Sequence, residues 1–311
     1  MEQIDSKLAS IIVSPQAGFA NRLRVVNSAI LAAQICSRRL YHYWIPTEPN
    51  HTQSHVNWIK QSSINDFFYC NQSIQLAQAT LAPDLILSEW KTGDYWFTMQ
   101  SHAQEDFGVL AGTRAHNYLN KLINSDAKTI LIETSRRFWP RDNPGLSFSI
   151  PKHDEAMRIH NAYTQLQPRA FYLDLVEKYD QIEVGIAVRR GDLLKYSAKA
   201  RQSIEDIYKF VKELTSMQKR IMIFSDDEKL VDYLTSMPGI KQEYPNLRNI
   251  IKRLLPPQKA MVTFLFLALK CQTIYGTPTS SFAQEAALYG NQKYLTIPET
   301  LQNSQAIGDY Q

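Results

Sequence analysis

Two adjacent guanidinium groups, Arg189 and Arg190, followed by Gly191 and Asp192, are the residues of this sequence best suited to chemistry on an anion. A guanidinium is planar, always charged, and presents paired N–H groups that match phosphate oxygens. A salt bridge between a surface arginine and Asp192 is the competing explanation. Ser225, Asp226 and Asp227 form a second cluster, where a carboxylate can accept hydrogen bonds from sugar hydroxyls or from a nucleotide base. A helix N-cap competes there, above all for Asp227 beside Glu228. The third cluster is Thr277-Pro278-Thr279-Ser280-Ser281-Phe282, whose hydroxyls and free amides at a helix start would make an anion site; an ordinary cap competes again. The fourth is Gly18-Phe19-Ala20-Asn21-Arg22. Gly18 permits close approach of the backbone or a positive φ, and Asn21 and Arg22 offer polar groups, against the simpler reading of a turn into a helix.

These clusters need elements to hold them. Residues 8–13 (LASIIV) read as a strand, followed by a loop and a helix in which Leu23, Val26, Ile30 and Ala33 recur at steps of three and four, burying one face. Residues 40–45 (LYHYWI) read as the next strand, and 129–133 (TILIE) as another. The second half repeats the rhythm more cleanly. Helices are expected at 171–179, 204–217, 228–236, after Pro256 and Pro257 to about 270, and at 281–289, with strands at 183–188, 220–224, 273–276 and 294–297. The order strand, helix, strand predicts α/β structure with parallel sheets, because parallel neighbours need a crossover helix. Open sheets of this kind place ligands at the carboxyl ends of their strands, where the three clusters of the second half all fall.

Length predicts two domains, 1–155 and 156–311, with a linker at about 140–165 where Pro140, Asn143, Pro144, Gly145 and Pro151 accumulate. Hydrophobic residues make up 44% of the 311, enough for two cores. The net charge of +4 is dispersed, which argues against a nucleic-acid partner and suits a small anionic ligand. Cys36, Cys70 and Cys271 have no metal-ligand spacing and cannot all pair, which fits a reducing compartment. No apolar leader precedes residue 10, and the apolar run 260–269 is too short to span a bilayer, so a cytoplasmic protein without an integral membrane segment is expected. Neither GxGxxG nor GxxxxGK[ST] occurs, so neither a nicotinamide cofactor nor a P-loop nucleotide has support.

Taken in order along the chain, the four clusters resemble the motifs of the fucosyltransferase superfamily that includes the alpha-1,2, alpha-1,6 and chitooligosaccharide enzymes. Gly18 to Leu23 is similar to the family's GxGNxL loop, and Val188-Arg189-Arg190-Gly191-Asp192 to its HxRRxD motif. Phe224-Ser225-Asp226-Asp227 is similar to its FSDD segment, and Ser280-Ser281-Phe282 with Ala286-Ala287-Leu288 to its last motif. The resemblance implies a GT-B fold of two Rossmann-like lobes with an interlobe cleft, the first lobe on the acceptor side and lined by Gly18, Asn21 and Arg22, the second binding the nucleotide sugar. It implies an inverting, metal-independent glycosyltransferase without a cofactor, moving fucose from GDP-fucose to a glycan or peptide hydroxyl. Arg189 would hold and neutralise the leaving diphosphate with Arg190; Ser280, Ser281 and Phe282 would contact the donor, and Asp226 would face it.

Two positions depart from the family. Its histidine two residues before the first arginine is Ala187 here, and a carboxylate on the helix before the last motif is replaced near Thr263 or Phe264. Both bear on the nucleotide base, so a transferase using another nucleotide sugar and a noncatalytic nucleotide-sugar or glycan binder of the same fold stay open. Asp192 and Glu285 are the carboxylates near enough in sequence to act as general base, alongside an unassigned residue of the first half. His42, His51, His55 and His102 are expected at the surface or behind the site. The aromatics Trp90, Tyr95, Trp96 and Phe97 could stack on a sugar or peptide, with core packing as the competing role.

Overall fold

The structure, a computed structural model, describes residues 9–15, 18–42, 63–70, 74–76, 85–88, 126–134, 137–138, 152–190, 204–278 and 280–298. Gly191, Asp192, His51, His55, His102, Trp90, Tyr95, Trp96 and Phe97 lie outside the described residues. The chain divides into two compact units, 1–170 and 171–311.

The first unit is built on a five-stranded sheet. Strand β1 (Ser10–Pro15) leads through helix α1 (Phe19–Ile35) to its parallel neighbour β2 (Arg39–His42). Two short strands, β4 (Ile74–Leu76) and β5 (Leu85–Ser88), and β6 (Thr129–Thr134) complete the order β4-β2-β1-β6-β5, parallel throughout. A second pair, β3 (Phe68–Cys70) with β7 (Leu166–Pro168), is antiparallel. Helix α2 (Lys152–Tyr163) falls within the stretch expected as a linker and packs on α1. Its sequence is mostly polar, and among its described residues Ile159, Ala162 and Tyr163 are buried. Asn27 on α1 donates through Nδ2 to the carbonyl of Ile159 at 2.8 Å. Instead of burying one face, α1 is buried all round from Phe19 to Ala33 with Asn21 excepted, because α2 covers what would otherwise be its wet side.

The second unit carries β8 (Ile182–Val188), β9 (Ile221–Ser225), β10 (Cys271–Gly276) and β11 (Lys293–Thr296) in the order β11-β10-β8-β9, all parallel. Helices α3 (Ala170–Glu177), α4 (Ile204–Ser216), α5 (Glu228–Ser236), α6 (Pro245–Arg253), α7 (Pro256–Lys270) and α8 (Ser281–Gly290) connect and cover them. Alternation along β8 explains its two faces. Val184, Ile186 and Val188 join Ile207, Phe210, Val211 and Leu214 of α4 and Leu230, Val231 and Leu234 of α5 in one core. Gly185, on the other face, meets Leu267 of α7 and Cys271 so closely that a Cβ would lie 2.6 Å from either side chain.

At the amino end of this sheet, Arg220 ties several segments together. It donates through Nε to Glu243 at 3.1 Å and through Nη2 to the Tyr244 hydroxyl at 2.8 Å, and that hydroxyl donates to the Asp180 carbonyl. The carboxyl end of α8 is closed by Asn291 in a left-handed conformation, φ 53°, which sends the chain into β11.

Helix α8 ends against α7 at Gly290, where the backbone carbonyl of Ala268 occupies the space a Cβ would fill. A backbone atom cannot move aside as a side-chain tip can. Gly290→Ala is therefore expected to destabilise the second unit by about 2 kcal/mol or more, read as a lower urea midpoint with unchanged slope.

Candidate functional site

The order of the strands selects one place at the sheet edge of the second unit. From β8 the chain moves to β9 on one side and only later to β10 on the other, so β8 and β10 flank the point where the winding reverses. Crevices beyond the carboxyl ends at such a reversal are where open α/β sheets bind ligands. Arg189 is the first residue after β8 and Thr277 the first after β10.

Three neighbouring strand ends meet here through side chains gripping backbone. The N–H of Arg189 donates to Thr277 Oγ1 at 2.9 Å, and the N–H of Arg190 donates to Asp226 Oδ1 at 2.8 Å. Thr277 donates its own N–H to the Ala187 carbonyl at 3.2 Å, while its carbonyl accepts the N–H of Ser280 at 2.9 Å. Arg189 and Arg190 are both half-buried, which leaves their side chains within reach of solvent.

The two helix starts nearby differ. Asp227 caps α5, accepting the N–H groups of Lys229 and Leu230 at 3.1 and 3.3 Å, and Ser225 Oγ accepts the Asp227 N–H. The capping explanation thus holds for Asp227 and leaves Asp226 as the carboxylate turned to the arginine turn. Ser280 stands at the N-cap of α8, yet its side chain makes no capping hydrogen bond. Ser280 and Ser281 are each 3% exposed. A buried hydroxyl pair at the positive end of a helix, without a capping role for Ser280, suits an oxyanion. Phe282 is half-buried and set edge-on to Phe264 with ring centres 5.9 Å apart, which roots α8 against α7.

Glu285, one of the carboxylates considered as general base, is fully buried on α8. Among the described residues no group of three or more His, Cys, Asp or Glu is placed to hold a metal ion, and no helix is long and apolar enough to cross a membrane.

In the first unit the winding reverses between β1 and β6. Gly18, at the N-cap of α1, has φ −72° and ψ 168°, ordinary extended backbone, so its glycine freedom is not used for a positive φ. Among the described residues, a Cβ there would meet nothing within 4 Å. Asn21 is half-buried, whereas Arg22 is fully buried, and burial lowers its pKa to about 10, still charged at neutral pH. Ser14, Thr134 and His42, at the carboxyl ends of β1, β6 and β2, are buried too, as is Arg137. Of the two places expected for His42, the surface is ruled out: it is 0% exposed at the end of β2, opposite Val13 in the sheet register.

Sequence reasoning noticed Thr277 only as one hydroxyl among several. Its part in holding Arg189 depends on a partner 88 residues away, and the signal that could have found it is a threonine immediately after a buried strand.

No protein-family model matches the sequence, and no curated protein matches it either. Solved structures do. The fucosyltransferase NodZ from Bradyrhizobium superimposes with a TM-score of 0.51 at 16% identity, over 89% of this chain and 92% of that one. A mutant of Arabidopsis thaliana FUT1 in complex with GDP gives 0.57 at 13%, over 96% and 73%. POFUT1 in complex with GDP-fucose gives 0.51 at 11%, over 93% and 97%. The chain therefore has the GT-B α/β fold of these fucosyltransferases.

Burial pulls His42 from the ordinary histidine value of 6.5 down to about 4. Above pH 6.5 folded and unfolded chains both hold it neutral; between 6.5 and 4 the unfolded chain binds the extra proton, so stability falls as pH falls. From pH 7 to pH 5 this one group should cost about 2 kcal/mol, and His42→Gln should remove that part of the slope. Urea unfolding of both proteins across this range is the check; identical slopes would mean that the folded ring takes up the proton.

Proposed function

We propose that this chain is an inverting, metal-independent glycosyltransferase that moves fucose from GDP-fucose to a hydroxyl of a glycan or peptide. One observation carries the reading: at the winding reversal of the second unit, Thr277 accepts the Arg189 N–H on its hydroxyl and the Ser280 N–H on its carbonyl, which ties the residue bearing one guanidinium to the start of the helix that buries two hydroxyls. The fold is that of proteins solved with GDP and GDP-fucose, which supports the same donor.

The chemistry follows from where charge develops. The acceptor hydroxyl oxygen attacks the anomeric carbon from the face opposite the diphosphate, its proton passing to a general base or to water, while the bond from that carbon to the phosphate oxygen breaks and its electron pair leaves on the diphosphate. Configuration inverts in the single displacement. Negative charge grows on the departing oxygens, where a fixed cation lowers the barrier most. Arg189 supplies that cation with a planar pair of donors, and Arg190 adds a second charge. The Ser280 and Ser281 hydroxyls and the first amides of α8 hold the remaining oxygens. These groups do for the leaving group what a divalent ion does in metal-dependent transferases. Asp226 tethers the arginine turn and would face the donor from the end of β9.

The residue at the family's histidine position, Ala187, is 7% exposed on β8 and offers a base no hydrogen bond. Guanine would then be selected by other contacts, and this observation favours the second reading, a different nucleotide sugar.

Thermal shifts with GDP, UDP, TDP and CDP decide the base: GDP should raise the melting temperature most, and a larger shift with UDP or TDP would reassign the donor. Arg189→Ala should reduce transfer from GDP-fucose, followed by mass spectrometry on glycan and peptide acceptors, by at least about a hundredfold, with the melting temperature of the free protein unchanged. Undiminished transfer in that variant would remove the proposed role, and tight GDP binding without transfer to any acceptor would indicate a binding protein.

A further inference from the structure

The junction between β8 and β10 is not an ordinary ladder end. In a parallel ladder the bonds alternate evenly between strands, so the bond from the Thr277 N–H to the Ala187 carbonyl should be followed by one from the Arg189 N–H to the Thr277 carbonyl. That carbonyl is engaged elsewhere, accepting the Ser280 N–H and closing the turn that starts α8. The Thr277 hydroxyl takes its place, receiving the Arg189 N–H at 2.9 Å. One residue, 1% exposed, thereby lets β10 bend away into the helix while keeping the end of β8 in register.

We infer that Thr277 is a positioning residue of the anion site: its hydroxyl fixes the peptide that carries Arg189 at a set distance from the Ser280–Ser281 helix start. The inference rests on the reading of Arg189 as the diphosphate ligand. The geometry is specific. The carbonyl holds the hydroxyl side of the site and the hydroxyl holds the guanidinium side, so the two halves that would grip the diphosphate diverge from a single Cα. Asp226 pins the next amide, that of Arg190, from the β9 side at 2.8 Å, and the turn is held at successive peptides from both neighbours. A side-chain acceptor is needed at 277, since the backbone carbonyl cannot serve both donors without closing the gap between strand and helix.

Valine has the shape of threonine without the acceptor, and serine keeps the acceptor without the methyl. GDP binding is measured by calorimetry, with UDP in parallel, for the parent protein, Thr277→Val, Thr277→Ser, Arg189→Ala and the Thr277→Val/Arg189→Ala double variant. Thr277→Val should weaken GDP about tenfold, Thr277→Ser no more than about twofold, and Thr277→Val should add nothing once Arg189 is removed. Thr277→Val binding like the parent, while Arg189→Ala loses affinity, overturns the role of Thr277 and leaves that of Arg189. Equal weakening by Thr277→Val in both backgrounds also overturns it, because the effect then does not pass through Arg189. Equal binding by the parent and Arg189→Ala, or none by either to GDP and UDP, removes the anion-site reading and this inference together. If Thr277→Val does not fold, amide hydrogen exchange at Arg189 in the parent and in Thr277→Ser still decides: protection in both is expected, and exchange at the rate of an open amide overturns the inference.

Discussion

A guanidinium is only as well placed as the peptide that bears it, and in this chain the peptides of Arg189 and Arg190 are held by side chains from the two neighbouring strands. Thr277 Oγ1 takes one amide and Asp226 Oδ1 the next. Both acceptors lie just past strand ends whose heights are set by register: Gly276 opposite Ala187, and Ser225 opposite Val188. The sheet therefore transmits its order directly to the arginine turn. Everything proposed for the site, from charge neutralisation to the helix start at Ser280, depends on that transmission.

Much of the second unit was legible because its signals are local. Residues 183–188 and 220–224 are short apolar runs, and the helices around them show clean periodicity, so β8, β9, α4, α5, α7 and α8 fall within a residue or two of expectation. Helix α6 was missed: it is short and mostly polar, buries Leu247 alone and opens on Pro245, so the spacing of Leu247, Ile250 and Ile251 was passed over. In the first unit α2 was hidden by the prolines and glycine before it, which made 140–165 look like a linker. The strands β3, β4, β5 and β7 are three or four residues each, too short for alternation to register. Their pairing is decided by partners far along the chain.

The candidate site divides in the same way. Arg189, Asp226 and Ser280 could be read from strand-end motifs, since residue type and the preceding apolar run are adjacent in sequence. The hydroxyl-to-amide bond at Thr277, the missing cap at Ser280 and the complete burial of Arg22 and His42 are tertiary facts. Arg22 illustrates the limit most clearly. Its position in a loop-to-helix motif suggested an open polar group, whereas α1 is enclosed on every side and takes the guanidinium with it. Small residues tell a related story on β8, where Gly185 leaves room for Leu267 and Cys271.

The Arg220, Glu243 and Tyr244 cluster sits at the opposite margin of this sheet from the arginine turn, separated from it by the full length of β9. Five extended residues span about 17 Å, so that margin lies well away from the proposed site. It is a natural anchorage for a fluorophore, an affinity handle or a surface tether, because whatever is attached there would leave the rim proposed to bind the donor unobstructed.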